Sequence, residues 1–224
     1  MDFPRKGNRE MKKLLFAVSA LAALALLAPS TGFAQTHVYS NQLGLYTTAD
    51  GHGSTGVADI GAATFVYLVL TKPTDVNNGE APYTSVNAFE CTLAFDPVPN
   101  NNLFMLNAAL PPNNVDVGLR KNINDGFLDY VVGIDVNNPV PVVNDAATLI
   151  TFTFMNMSPA GFTVKLTPTE KPAIAGEMAY QGVQGELRIM YTSSGDTDTP
   201  VFRFGEPVVA VENESFGSVK ALFR

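Results

Sequence analysis

Residues 86–97 read Val-Asn-Ala-Phe-Glu-Cys-Thr-Leu-Ala-Phe-Asp-Pro. Phe89, Cys91, Leu93 and Phe95 fall on alternate positions with Glu90, Thr92 and Ala94 between them, which is the period of a strand that buries one face. Asp96-Pro97 closes the run, because proline has no amide to give a ladder. The same period recurs on both sides of this stretch. Ile150, Phe152 and Phe154 alternate with Thr151 and Thr153, and Phe162, Val164 and Leu166 alternate with Thr163, Lys165 and Thr167. Leu187, Ile189 and Tyr191 are expected to face inward around Arg188 and Met190, and Phe202 and Phe204 around Arg203. In residues 128–136, Leu128, Tyr130, Val132 and Ile134 oppose Asp129 and Asp135. Residues 65–70 (FVYLVL) are apolar on both faces, as a central strand requires.

Between these runs lie clusters of turn residues: Lys72-Pro73-Thr74-Asp75, Asn100-Asn101-Asn102, Pro111-Pro112-Asn113-Asn114, Asn124-Asp125-Gly126 and Ser193-Ser194-Gly195-Asp196. Asn and Gly tolerate positive φ, and Pro fixes its own φ, so these segments connect strands rather than extend them. Past residue 34 no segment sustains a helical period over three turns. Roughly eight to ten short strands in one domain predict an all-β, antiparallel β-sandwich.

The amino-terminal end has a different purpose. Residues 14–28 (LLFAVSALAALALLA) form one apolar run, preceded by Lys12 and Lys13 and followed by small residues up to Ala34. Basic, apolar and small-residue segments in that order make a secretory signal peptide helix, and the run is short of the roughly 20 residues that span a bilayer. Residues 1–34 are therefore expected to be removed after Ala34, leaving a secreted, extracytoplasmic chain with no membrane span. Residues 1–10 add a polar stretch ahead of a complete signal, which points to Met11 as the initiator. Residues 35–210 form the expected single sandwich domain, and residues 211–224 a tail.

The 224-residue chain carries 14 basic and 21 acidic residues, a formal charge of -7. Removing residues 1–34 takes away five basic and two acidic residues, so the mature chain is near -10. Nucleic-acid binding by charge is excluded, because it needs a basic face. One Cys and two His cannot assemble a Cys/His zinc site or a disulfide framework. Cys91 shares its face with Phe89, Leu93 and Phe95 and is expected as a core thiol.

Residues 62–167 resemble the cohesins and the carbohydrate-binding modules among secreted β-sandwiches. The likeness lies in the order of elements: the early apolar strand FVYLVL, then Phe89, Leu93, Phe95, Asp96 and Pro97 in an F-x-x-x-L-x-F-D-P pattern, then the L-x-x-I-T-F type strand at residues 147–154. That resemblance implies a cohesin-like or jelly-roll-like sandwich and a non-catalytic binding role. The segment GLYTTADG at residues 44–51 and the closing SFGSVKALFR are similar to those of uncharacterised exported bacterial proteins.

Candidate sites are sparse. Asp50, His52 and Ser54 sit together in a Gly-rich loop, but neighbours along one loop point in different directions and do not make a triad. Asp129 and Asp135 share a strand face six residues apart, about 20 Å when extended, too far for a glycosidase pair. No catalytic residue and no cofactor is expected. Calcium is the metal best suited to acidic loops; its candidate ligands are Asp196 and Asp198, and then Asn122, Asn124 and Asp125. Trp is absent, so a sugar platform would have to come from Tyr39, Tyr46, Tyr83, Tyr180 or Tyr191. In the tail, Phe216, Val219, Leu222 and Phe223 fall at helical spacing beside Lys220 and Arg224, a pattern that would suit a secretion or attachment partner. The expected function is an exported, non-catalytic binding or structural module whose partner is a cell-surface protein or a polysaccharide. Two alternatives stand beside it: a carbohydrate-binding module using loop Tyr residues, and a secreted hydrolase whose carboxylates are assembled by the fold.

Overall fold

The computed structural model describes residues 39–53, 55–56, 60–75 and 81–205. The signal segment, Met11 and the tail lie outside the described residues. The strands are β1 (Gln42–Tyr46), β2 (Thr55–Gly56), β3 (Ala63–Thr71), β4 (Thr74–Asp75), β5 (Ala81–Pro82), β6 (Ser85–Val86), β7 (Ala88–Asp96) and β8 (Leu103–Ala109). They continue with β9 (Asn114–Asp116), β10 (Phe127–Ile134), β11 (Val140–Pro141), β12 (Ala146–Asn156), β13 (Phe162–Thr167), β14 (Met178–Gln181), β15 (Leu187–Thr192) and β16 (Phe202–Phe204). A 3₁₀ turn at Ile123–Asp125 separates β9 from β10.

These strands form the expected all-β sandwich. One sheet runs β8-β12-β3-β1-β15, antiparallel except where β1 and β15 lie parallel. The other is built around β7. On one side of β7 lies β10 and then β9; on the other lie β13 and β14 in tandem, each antiparallel to it. β13 leads on to β16 and β2, while β14 pairs with β15 and so joins the two sheets along one side. The pairs β4–β5 and β6–β11 are small outlying ribbons.

The core lies between the sheets and follows the alternation in the sequence. Phe89, Cys91, Leu93 and Phe95 of β7 are buried, and so are Phe152 and Phe154 of β12 and Phe202 and Phe204 of β16. Aromatic rings knit the sheets together: Phe154 lies 5.3 Å from Phe152, 5.1 Å from Phe204 and 6.2 Å from Phe95 between ring centroids, mostly edge to face. Burial pushes the Cys91 thiol well above its usual value, as expected of a core thiol. At the turn between β12 and β13, Gly161 has φ +69°, and a Cβ there would collide with the Phe204 carbonyl oxygen, so only glycine fits.

Two strands depart from the sequence expectation. In β15 the faces are reversed: Met190 is buried, whereas Leu187 and Tyr191 are exposed. Its partner strand sets the facing, because Met190 pairs with Met178 and Arg188 with Tyr180, both core residues of β14. Arg188 tolerates the inward row because its guanidinium reaches Asp75 at 2.7 Å. The strand expected over residues 128–136 ends at Ile134, and Asp135 instead accepts hydrogen bonds from the Asn137 amide and from the side chains of Asn137 and Asn138. Phe154→Ala is expected to cost about 3–5 kcal/mol in urea unfolding, the range for emptying a packed aromatic site, whereas Lys165→Ala on the outward row of β13 is expected to cost less than about 0.5 kcal/mol.

Candidate functional site

The residues singled out in the sequence are mostly engaged in holding turns. Asp196 accepts a hydrogen bond from the Asp198 amide at 2.9 Å, and the Ser194 hydroxyl donates to the carbonyls of Asp196 and Thr199. Asn122 accepts from the Asn124 amide, and Asn124 exchanges bonds with Asn101 across 23 residues. Among the described residues no three His, Cys, Asp or Glu side chains lie where they could hold a metal together. In the loop at residues 47–53, Asp50 and Thr48 accept from the His52 amide; Ser54 lies outside the described residues, as do Phe216, Val219, Lys220, Leu222, Phe223 and Arg224 of the tail.

Three of the five tyrosines expected as exposed platforms are in the core. Tyr46, Tyr83 and Tyr180 are buried, while Tyr39 and Tyr191 are exposed. A buried tyrosine needs a partner for its hydroxyl, and Tyr180 donates to Asn41 Oδ1 at 2.7 Å. Asn41 is itself buried with φ +59°, and its Oδ1 also accepts from the Thr74 amide. Burial first, and the Glu186 carboxylate second, push the Tyr83 hydroxyl up to about 12.

Asp129 also has a role that its sequence position did not announce. It lies on the outer face of β10, opposite Thr92 of β7, yet it is only 1% exposed. Residues 117–120 run beside β10, and Arg120 folds over the face: its Nε and Nη2 donate to Asp129, its amide donates to Asp129 Oδ2, and its guanidinium rests 4.6 Å from the Phe127 ring. Thr92 adds a fourth bond at 2.6 Å. Burial pulls the Asp129 carboxyl upward, but Arg120 and Thr92 outweigh it and hold it below the usual carboxylate range. A carboxylate so fully bonded braces the sheet and is not free to act as an acid or base.

An apolar concave surface lies on the same sheet, one step further along β7. Two cross-strand rows make its floor. Val115, Gly133, Ala88 and Gln181 are successive register partners from β9 to β14, and Val131, Glu90 and Ala179 form the next row, with Val117 beside Val131. Gly133 and Ala88 occupy the middle of the first row and Ala179 the end of the second, so the sheet face sinks between the valines on one side and Leu187 and Ala173 on the other. The result is a groove of about 350 Å³, almost wholly apolar. A Cβ on Gly133 would meet nothing within 4 Å, so the floor is open there. Val115, Val117 and Leu187 are 66%, 62% and 46% exposed on its rim.

One wall of the groove is fixed by a buried charge. Residues 168–177, the excursion that separates β13 from β14, are pinned by Glu90, whose Oε1 accepts from the Ala173 amide at 2.7 Å. Burial raises the Glu90 carboxyl above its ordinary value, and the Ala173 and Ile174 amides partly offset this. No sequence motif marks this groove, because its residues are mostly ordinary Val, Ala and Gly drawn from six separate segments.

No family model matches the chain, and no curated protein matches it. Among solved structures it is similar to a type II cohesin module from the ScaA scaffoldin of Acetivibrio cellulolyticus, with 14% identity and a TM-score of 0.47, covering 81% of this chain and 99% of that one. It is also similar to a non-cellulosomal cohesin from the archaeon Archaeoglobus fulgidus, with 11% identity and a TM-score of 0.43, covering 79% and 99%. A third is the cohesin of a Clostridium thermocellum type I cohesin–dockerin complex, with 6% identity and a TM-score of 0.46, covering 75% and 99%. The sandwich is evident from this chain's own registers without them.

The Asp129 bracing yields a test with a defined sign. Because its folded pKa is depressed, Asp129 contributes stability that is present above its unfolded value of about 3.9 and is lost as pH falls through the folded value. Arg120→Ala is expected to cost about 3 kcal/mol at pH 7 by stranding a buried carboxylate. In urea unfolding, its deficit relative to the unaltered protein is expected to shrink as pH falls below about 4 and through the depressed folded value of Asp129, where the carboxyl becomes protonated in both proteins.

Proposed function

We propose that the mature chain is an exported, non-catalytic binding module that holds an apolar segment of a protein partner in the groove over β9, β10, β7 and β14, within a cell-surface or secreted assembly. The groove itself carries this reading: contiguous apolar surface rimmed by exposed valines marks an interaction site on a soluble domain. The cohesin resemblance of residues 62–167 supports a protein partner, and the signal peptide in the sequence supports export. The competing chemistries keep fewer candidates, since Asp129 is committed to Arg120 and Tyr46, Tyr83 and Tyr180 to the core, which leaves Tyr39 and Tyr191 for a polysaccharide.

Gly133 supplies a selective test. Gly133→Phe places a ring in the groove with no backbone cost, as the position is extended and open. A pull-down from the producing organism's envelope with the mature protein is expected to retain a protein that Gly133→Phe loses and Tyr191→Ala keeps. Identical captures by all three proteins would remove the groove from the proposal, and binding to a glycan array abolished by Tyr191→Ala would favour the polysaccharide alternative.

The tail is proposed as the attachment element of the assembly. Deleting residues 211–224 is expected to move the protein from the cell-bound fraction to the medium while leaving the groove-dependent capture intact; unchanged partitioning would remove this role.

A further inference from the structure

We propose that the protein pairs with a second copy of itself through the free edge of β8, on the sheet opposite the groove. β8 bonds to β12 on one side, and none of the described strands lies on its other side. An open edge is a template for another strand, and soluble proteins usually blunt it with Lys, Pro or an inward charge. The other edges follow that rule: β9 leads into Asp116, Arg120 and Lys121, and beyond β16 the sheet ends in β2, which is only two residues long. β8 has none of these within its span.

Charge says what fits there. Residues 97–115 contain no ionisable side chain, in a mature chain near -10. Two such chains repel over most of their surfaces, at contact distances within the roughly 8–10 Å reach of a charge in physiological salt. The β8 edge is a place where they can meet without setting carboxylate against carboxylate.

The outer face beside this edge is apolar. Phe104 and Leu106 of β8 and Phe65 of β3 are 39%, 54% and 58% exposed. Inward Leu103 and Met105 fix the register of a two-fold pair, because antiparallel partners directly opposite each other share a face. A register centred on Phe104 keeps both residues inward in both copies and sets Phe104 against its twin with Leu106 alongside. A bulge between β8 and β12 at Thr153/Phe154 ends the straight segment beyond Leu106, so the contact is short.

The single native thiol makes the test clean, since Cys91 is buried. In the mature protein, Phe104→Cys is expected to give a disulfide-linked dimer on mild oxidation at least about tenfold faster than Val117→Cys, an exposed site on the other sheet, because positioned groups react faster than colliding ones. Sedimentation velocity is expected to show a concentration-dependent dimer that Phe104→Lys abolishes and Val117→Lys retains, with unchanged circular dichroism in each. Equal cross-linking rates at the two positions, or a dimer insensitive to Phe104→Lys, would overturn the proposal. Because the groove and β8 lie on different sheets, loss of partner capture in Gly133→Phe leaves this outcome unaffected.

Discussion

Everything on the second sheet depends on β7 having to be satisfied on four sides. Its two backbone edges are taken by β10 and by β13 and β14, and its inward face packs the aromatic core. Its outward face is where the difficulty lies, because Glu90 and Thr92 are buried there as well. A buried polar group costs free energy unless it is bonded. The chain therefore lays two segments over the sheet: residues 117–121 bring Arg120 to Asp129 and Thr92, and residues 168–177 bring the Ala173 amide to Glu90. The groove is the part of that face left between the two covers.

This origin accounts for the groove's composition. Where the covering segments cross the sheet, long polar side chains reach down to meet them. Between them the floor is mostly Ala88, Gly133, Ala179 and Val131, none of which has a polar side-chain atom to satisfy, and Gln181 at its end spends its amide on the Gly185 carbonyl. The same construction gives the two covers opposite responses to acid. Arg120 holds its carboxylate ionised, whereas the burial of Glu90 favours the protonated form.

The sandwich was legible because it follows from side-chain period and turn chemistry, both local. Phe89 to Phe95, Phe152 and Phe154, and Phe202 and Phe204 show their inward faces by alternation alone. β15 was misread because local apolarity favoured Leu187, Ile189 and Tyr191, while the facing was decided by Met178 and Tyr180 on its neighbour. The tyrosines were misread for a similar reason: Tyr180 can be buried because Asn41, 139 residues away, and the Thr74 carbonyl supply acceptors. The groove was invisible for a stronger reason, since its shape comes from small residues on separate strands brought into register, a pattern that no window of sequence contains.

The parallel pairing of β1 with β15 also bears on how the fold would respond to a pull along the chain. β1 enters between β15 and β3, so a pull on the chain ahead of residue 39 acts on a strand bonded on both sides. β16, at the other end, is three residues long and is bonded to β13 and to the two-residue β2. A molecule tethered through its tail and pulled from its groove would therefore give way first at β16. That strand can peel away as a short extensible leader while β7 and the groove remain folded.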